Sequence, residues 1–137
     1  MNITLRAGER LYINGAVIRT DRKTTIELLN DATFLLETHV MQAADATTPL
    51  RQVYFVVQVM LMDPASAKTT CQLARALIDK ALEAFDSEEI QSGLRATMDL
   101  ISRGRYFEAM KTIRGMYPLE QAQMCPDGAP IASSNAA

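Results

Sequence analysis

The apolar residues of this chain change their period partway along, and that change limits the folds open to it. Up to about residue 37 they recur at every second position. Ile3 and Leu5 alternate with Thr4 and Arg6, Leu11 and Ile13 with Arg10 and Tyr12, Ala16 and Ile18 with Val17 and Arg19, and Ile26 and Leu28 with Thr25 and Glu27. A period of two puts one set on a core face and the other toward solvent, so short strands are expected. Asn14-Gly15 lies between two such runs and is a strong hairpin signal, because both turn positions favour positive φ. Ala7-Gly8, residues 21–23 and Asn30-Asp31 are the other turn candidates, and residues 34–36 are the candidate fifth strand.

From Thr48 onward the period is that of a helix. Thr48 is an N-cap with Pro49 at the first helical position. Val53, Val56, Val57, Met60 and Leu61 then share one helical face. The valines of this segment pull toward a strand, but the spacing predicts a helix. Tyr54, Phe55, Val59 and Met62 make it apolar on nearly all sides, so it should be central or join two subunits. Asp63-Pro64 repeats the cap signal and should open a second helix to about Phe85, with Ala67, Cys71, Ala74, Ile78, Ala81 and Phe85 buried. Ser87 caps a third helix with Glu88 and Glu89 at its positive end and Ile90, Leu94, Met98 and Ile101 inward. Gly104 ends it. A fourth carries Phe107, Met110 and Ile113 inward, and Gly115 and Pro118 set its end.

The expected fold class is therefore α+β: a small N-terminal antiparallel β meander or barrel, then a C-terminal bundle of about four helices. Residues 1–47 are expected as the strand region, 48–117 as the helical region and 118–137 as a disordered tail, the whole forming one compact unit. A length of 137 residues suits this, since such a chain can bury a real core without staples.

Composition removes most catalytic options. There is one His, there are two Cys and there is no Trp. No Gly-rich phosphate loop, HExxH, GxSxG or zinc spacing occurs. His39 stands alone and reads as a surface or linker residue, because a general base needs placed partners. Cys71, on an apolar helical stripe, reads as a buried, inert thiol. Cys71 and Cys125, with no CxxC partner, are too few for a disulfide framework, which points to a reducing, cytoplasmic setting. Asp79, Glu83, Asp86, Glu88 and Glu89 read as a solvated helix face and a helix start. No catalytic residue, cofactor or metal is expected. The charged N-terminus lacks a signal-peptide core, and the apolar run 53–62 is too short to span a bilayer.

The formal net charge of −2 argues against indiscriminate nucleic-acid binding. It is a sum of unlike parts. Residues 1–30 hold five basic and three acidic side chains, residues 63–102 four and seven, and residues 103–114 four and one. Several basic side chains of the first group fall on the outward strand phase with Tyr12, and such a face can hold single-stranded RNA by phosphate contacts and stacking. On charge pattern alone, ordinary solvated arginines are the simpler reading.

Three blocks in order resemble one family. The first is Leu5-Arg6-Ala7-Gly8-Glu9-Arg10-Leu11-Tyr12-Ile13-Asn14-Gly15-Ala16-Val17-Ile18; the second is Thr48-Pro49, Tyr54-Phe55, Gln58 and Asp63-Pro64; the third is Gly104-Arg105-Tyr106-Phe107-Glu108-Ala109-Met110-Lys111. Together, over roughly residues 1–117, they resemble the FlbT flagellum biosynthesis repressors. The resemblance implies a cytoplasmic post-transcriptional regulator that acts on the 5′ untranslated region of flagellin messenger RNA and controls its translation and stability. It also implies FlaF as a functional partner. Block one is similar, through Arg6, Gly8, Glu9, Leu11 and Ile13, to the small β-stranded carbon-storage regulators, which favours the strand region as the RNA face and a homodimer. Arg6, Arg10, Arg19, Arg22 and Lys23 are then the expected phosphate contacts and Tyr12 the stacking residue. The alternative is an adaptor of the flagellar secretion pathway that binds FlaF or flagellin through its Met-bearing helical half, with an indirect effect on the messenger.

Overall fold

The computed structural model describes residues 1–30, 32 and 34–124. Asn14 and Gly15 have φ of 49° and 82°, the left-handed pair that a tight hairpin turn of native twist requires. They join β2 (Arg10–Ile13) to β3 (Ala16–Arg19), with Ile13 opposite Ala16 and Arg10 opposite Arg19. On its other edge β2 pairs antiparallel with β5 (Phe34–Leu36). β1 (Asn2–Leu5) does not join this sheet. It pairs with β4 (Thr24–Glu27), Leu5 opposite Thr24. The antiparallel strand region is thus two small sheets, β1-β4 and β3-β2-β5. Gly8, at φ 79°, lets the chain pass from one sheet to the other.

Between the two sheets lies a small core of Ile3, Leu5 and Leu11, edged by Ile13, Ile26, Leu28, Phe34 and Leu36. Alternation puts Ala16 and Ile18 on the same side, but β3 is exposed along its whole length. It is an edge strand, and the sheet beneath it is too narrow to cover it.

The helices are α1 (Pro49–Met62), α2 (Ala67–Ala84), α3 (Glu88–Ser102), α4 (Tyr106–Gly115) and α5 (Tyr117–Met124). The valine-rich segment is helical, as its spacing predicts, and α1 sits centrally, between α2 and α4. Leu50, Val53, Val57 and Met60 of α1 meet Ala74, Ile78 and Ala81 of α2, Ile90 and Leu94 of α3, and Ala109 and Ile113 of α4 in one core. Ser87 caps α3, and Gly104, at φ 76°, follows its end. Gly93 is where α3 comes close to the α4–α5 junction: a Cβ there would overlap Sδ of Met116.

Two expectations fail. Asp63 does not cap α2. Its backbone N–H closes α1 by donating to the Val59 carbonyl at 2.8 Å, and a 3₁₀ turn (Pro64–Ser66) intervenes before α2 begins. Nor does a tail begin at 118. Tyr117–Met124 is helical, with Pro118 in the first turn, where a missing N–H costs nothing. The remainder of that expected tail, residues 125–137, lies outside the described residues, as does Cys125.

The reason for α5 is Glu120, an acid only 2 % exposed. One carboxylate oxygen accepts from the Thr48 hydroxyl at 2.7 Å and the other from the Leu50 N–H at 2.8 Å. Thr48 Oγ1 in turn accepts from the Arg51 N–H at 3.2 Å, and the Thr48 carbonyl accepts from Gln52 at 2.9 Å. Pro49 has no N–H, so the orphan donors of the first turn of α1 all have partners. Beside them Tyr117 packs on Tyr54, with the Arg51 guanidinium 4.4 Å from its ring centre.

Two predictions concern this joint. Glu120→Ala should cost about 2 kcal/mol, the worth of hydrogen bonds to a charged group, and lower the melting temperature by roughly 6 °C. Glu120→Gln, which keeps one acceptor, should cost about half as much in the same thermal melts. The Tyr117 hydroxyl is buried without a hydrogen-bond partner among the described residues. Burial pushes its pKa up, an effect partly countered by Arg51 and reinforced by Tyr54 and Glu120. The fold thus favours the neutral phenol. The stability this contributes is full below the unfolded tyrosine value near ~10 and is lost as pH rises above it. Tyr117→Phe should flatten the fall in denaturant midpoint above about pH 10, at little or no cost at neutral pH.

Candidate nucleic-acid interface

The pairing registers decide where the expected site residues stand. The hairpin turn places Arg10, at the start of β2, beside Arg19, at the end of β3. Leu5 ends β1 beside Thr24, the start of β4, so Arg6 and Lys23 flank that end of the other sheet. The turn from Arg6 to Glu9 is closed by the Glu9 N–H on the Arg6 carbonyl at 3.0 Å, and Gly8 donates to the Thr20 carbonyl at 2.8 Å. That last bond ties the turn to the end of β3. Arg22 lies in the β3–β4 link, its Nε 3.6 Å from Asp21 with both side chains in solvent. Arg6, Arg10, Arg19, Arg22 and Lys23 are therefore gathered at one end of the strand layer, away from the Asn14–Gly15 tip, and all are exposed.

Tyr12 is not gathered with them on an open face. It shares its side of β2 with Arg10 and stands beside Leu35, a member of the helical core, against which Tyr12 also packs. It lines a depression of about 450 Å³ with Arg10, Glu37, Met41, Phe55 and Gln58. The side of β2 expected to face solvent is covered by helix, and the other side by the β1-β4 sheet. With both faces covered, alternation cannot say which one is open. Tyr12 is half-buried in this packing. Tyr12→Ala should therefore cost about 2 kcal/mol of stability by loss of packing, read as a shift in the urea midpoint.

Gln58 is the polar clamp between the segment that leaves the strand layer and the helices. It is 1 % exposed in the middle of α1. Its Oε1 accepts from the Met41 N–H at 2.8 Å, and its Nε2 donates to the Met41 carbonyl at 2.9 Å. Arg10 is joined to the same region by its backbone N–H, which donates to Glu37 at 2.9 Å. At the hairpin tip Gly15 lies against Pro64: a Cβ on Gly15 would come within 3.3 Å of that ring. A single buried glutamine in an apolar run is the one sequence signal that could have located the clamp.

The second basic group is differently placed. Arg103 pairs with Asp99 at 3.1 Å, and Arg105 pairs with Glu108, its Nε donating at 2.7 Å. The Lys111 ammonium lies 5.0 Å from the Phe107 ring centre. Three of its four cations are engaged locally, so the strand end is the stronger candidate. His39 is exposed, and Cys71 is half-buried against the core. Asp79, Glu83, Asp86, Glu88 and Glu89 are all exposed. Among the described residues no group of three acidic, His or Cys side chains could hold a metal ion, and no helix is long and apolar enough to cross a membrane.

In class this is an α+β protein, a thin strand layer clamped to a helical bundle, with its strand-region cations at one end. The chain belongs to the FlbT family: the family model described as "Flagellar protein FlbT" matches residues 1–124. A "Probable flagellum biosynthesis repressor protein FlbT" of Chelativorans sp. (strain BNC1) is 50 % identical over 119 residues, 87 % of this chain and 82 % of the relative. "Probable flagellum biosynthesis repressor protein FlbT 2" of Bradyrhizobium diazoefficiens is 51 % identical over 122 residues, 89 % and 90 % of the two chains. The Brucella anthropi protein of the same repressor name is 49 % identical over 124 residues, 90 % and 82 %. No solved structure matches the chain.

Proposed function

We propose that this chain regulates flagellin synthesis after transcription, in the cytoplasm, by binding the 5′ untranslated region of flagellin messenger RNA and controlling its translation and lifetime. The observation that carries this is the gathering of Arg6, Arg10, Arg19, Arg22 and Lys23 at one strand end, in a chain whose relatives are named flagellum biosynthesis repressors. The five cations come from separate loops and strand ends, and their spacing suits a flexible single strand that bends to meet them. The regulator would act through access: a bound leader is closed to ribosomes, and decay is left to a cellular nuclease. Tyr12, half-buried beneath Arg10, offers a ring edge at the border of the patch. FlaF is a candidate protein partner on the strength of the family alone.

The adaptor reading, in which the helical half binds FlaF or flagellin, rests on the methionines. Met60, Met110 and Met116 are buried, and Met41, Met62 and Met98 pack against the core. They serve the interior, which leaves RNA binding the better supported of the two.

Affinity of the purified protein for a flagellin leader should fall steeply with salt. Up to five phosphate contacts on a single strand correspond to a log–log slope of up to about −3.5. The Arg10→Glu/Arg19→Glu double variant, folded by circular dichroism, should bind at least roughly tenfold more weakly, since each lost contact to a charged group is worth ~1 kcal/mol or more. Wild-type binding by that folded variant would overturn the site. Tight, stoichiometric capture of purified FlaF or flagellin with no leader binding would favour the adaptor.

A further inference from the structure

β3 is an open edge. Its four residues are all exposed, with Val17 at 59 % and Ile18 at 38 % among the few large apolar side chains left in solvent. The two-residue turn makes Ile13 and Ala16 a hydrogen-bonded pair, so Leu11 and Ile18 are one as well. Tyr12–Val17 and Arg10–Arg19 are then non-bonded pairs, and the N–H and C=O of Val17 and Arg19 point away from β2. Other bonds agree with this phase: the Arg10 N–H reaches Glu37 on the β5 side, and the Thr20 carbonyl is met by Gly8 on the β2 side. Among the described residues, a ladder of two residues is therefore left open on a strand with apolar side chains on both faces.

We propose that a second copy of this chain completes that edge, β3 against β3, antiparallel about a two-fold axis at Ile18. Three registers would bring the outward backbone groups together. One sets Arg19 against Arg19 of the second copy, and like charges directly opposite are destabilising. One sets Val17 against Val17 but leaves Arg19 facing the Gly15 turn. The third sets Val17 against Arg19 of the other copy, twice. It alone pairs both open residues within the strands and lays the aliphatic stem of each arginine over a valine. It also brings the two Ile18 side chains together at the close, non-bonded position on the Leu11 side, where the small inter-sheet core ends. The result is one continuous sheet, β5-β2-β3 joined to its two-fold mate.

This dimer rests on the proposed RNA reading only for its consequence. On the Arg10 face, the two Arg19 residues become diagonal neighbours about 7–8 Å apart, so two separate cation clusters merge into one stripe across the seam. Their repulsion weakens the dimer at low salt, and a polyanion lying over the seam relieves it. A leader long enough to cross both copies should therefore bind cooperatively, two chains to one RNA.

The interface is tested without RNA, by cysteine crosslinking of the full chain at 0.5 M NaCl, where the Debye length is about 4 Å and the arginines are screened. In a Cys71→Ala/Cys125→Ser background, Ile18→Cys should give at least fivefold more crosslinked dimer under mild oxidation than Val17→Cys or Arg19→Cys. The proposed register puts only the residue-18 Cα atoms, at about 4.5 Å, within disulfide reach. Preferential crosslinking at 17 or 19, or none at any position, overturns the proposal. Sedimentation of the otherwise native chain gives a second readout. Val17→Pro removes an N–H the monomer does not use and should weaken the dimer at least tenfold; an unchanged dimer, or a monomeric wild type at every concentration and salt, overturns it as well. A dimer that crosslinks at 18 but binds no leader would leave the interface standing and remove the RNA reading instead.

Discussion

A helix that is apolar on nearly every side can persist in water only inside something, and both its flanks and its first turn must then be satisfied by protein. α1 is that helix. Enclosing its sides takes α2 and α4 and, through them, α3. Satisfying its first turn takes Thr48, Pro49 and a carboxylate from the far end of the chain, Glu120. The Glu120 contact has consequences out of proportion to its size. It gives the short helix α5 a reason to fold, and it draws Tyr117 and Arg51 into a stacked joint beside it. A charge at that depth is tolerable because each of its oxygens has a donor and the start of a helix is a positive end.

The same helix disposes of the strand layer. Phe55, Val59 and Met62 face the underside of β2, and Gln58 holds the connecting segment by both hydrogen-bonding groups of Met41. Once β2 is covered below by helix and above by β1-β4, little of the layer is left for solvent but its ends and the β3 edge. The tip end is occupied by Gly15 against Pro64. Cations displaced from both faces collect at the other end, and this is why a chain with more acidic than basic side chains can still present a local positive surface.

Much of this was legible in the residues. Asn14-Gly15 alone sets the β2–β3 register, and with it the Arg10–Arg19 pair. The i, i+3, i+4 spacing of Val53, Val56, Val57 and Met60 outweighed the strand propensity of valine, because burial on one face is worth more than a fraction of a kcal/mol per residue of propensity. The departures from the sequence pattern share a cause. Sequence neighbours alone put Tyr12 on an open face, Asp63 at the start of a helix and residue 118 at the start of a tail. Each is decided by a partner elsewhere: α1 beneath Tyr12, Val59 for the Asp63 N–H, and Thr48 with Leu50 for Glu120. An acid in a short polar stretch reads as solvent-exposed until a helix terminus 70 residues away is known to need it.

The contact of Gly93 with Met116 constrains how such a chain can change over time. A side chain added at 93 would enter the space that the Met116 sulfur holds, whereas a smaller residue at 116 leaves only a gap that neighbours can partly fill. The two positions are therefore coupled: any side chain at 93 requires that Met116 swing aside or be shortened, and Met regains its place at 116 only once glycine stands at 93. The packing at this helix junction thereby fixes the order of the two steps, whichever way the exchange runs.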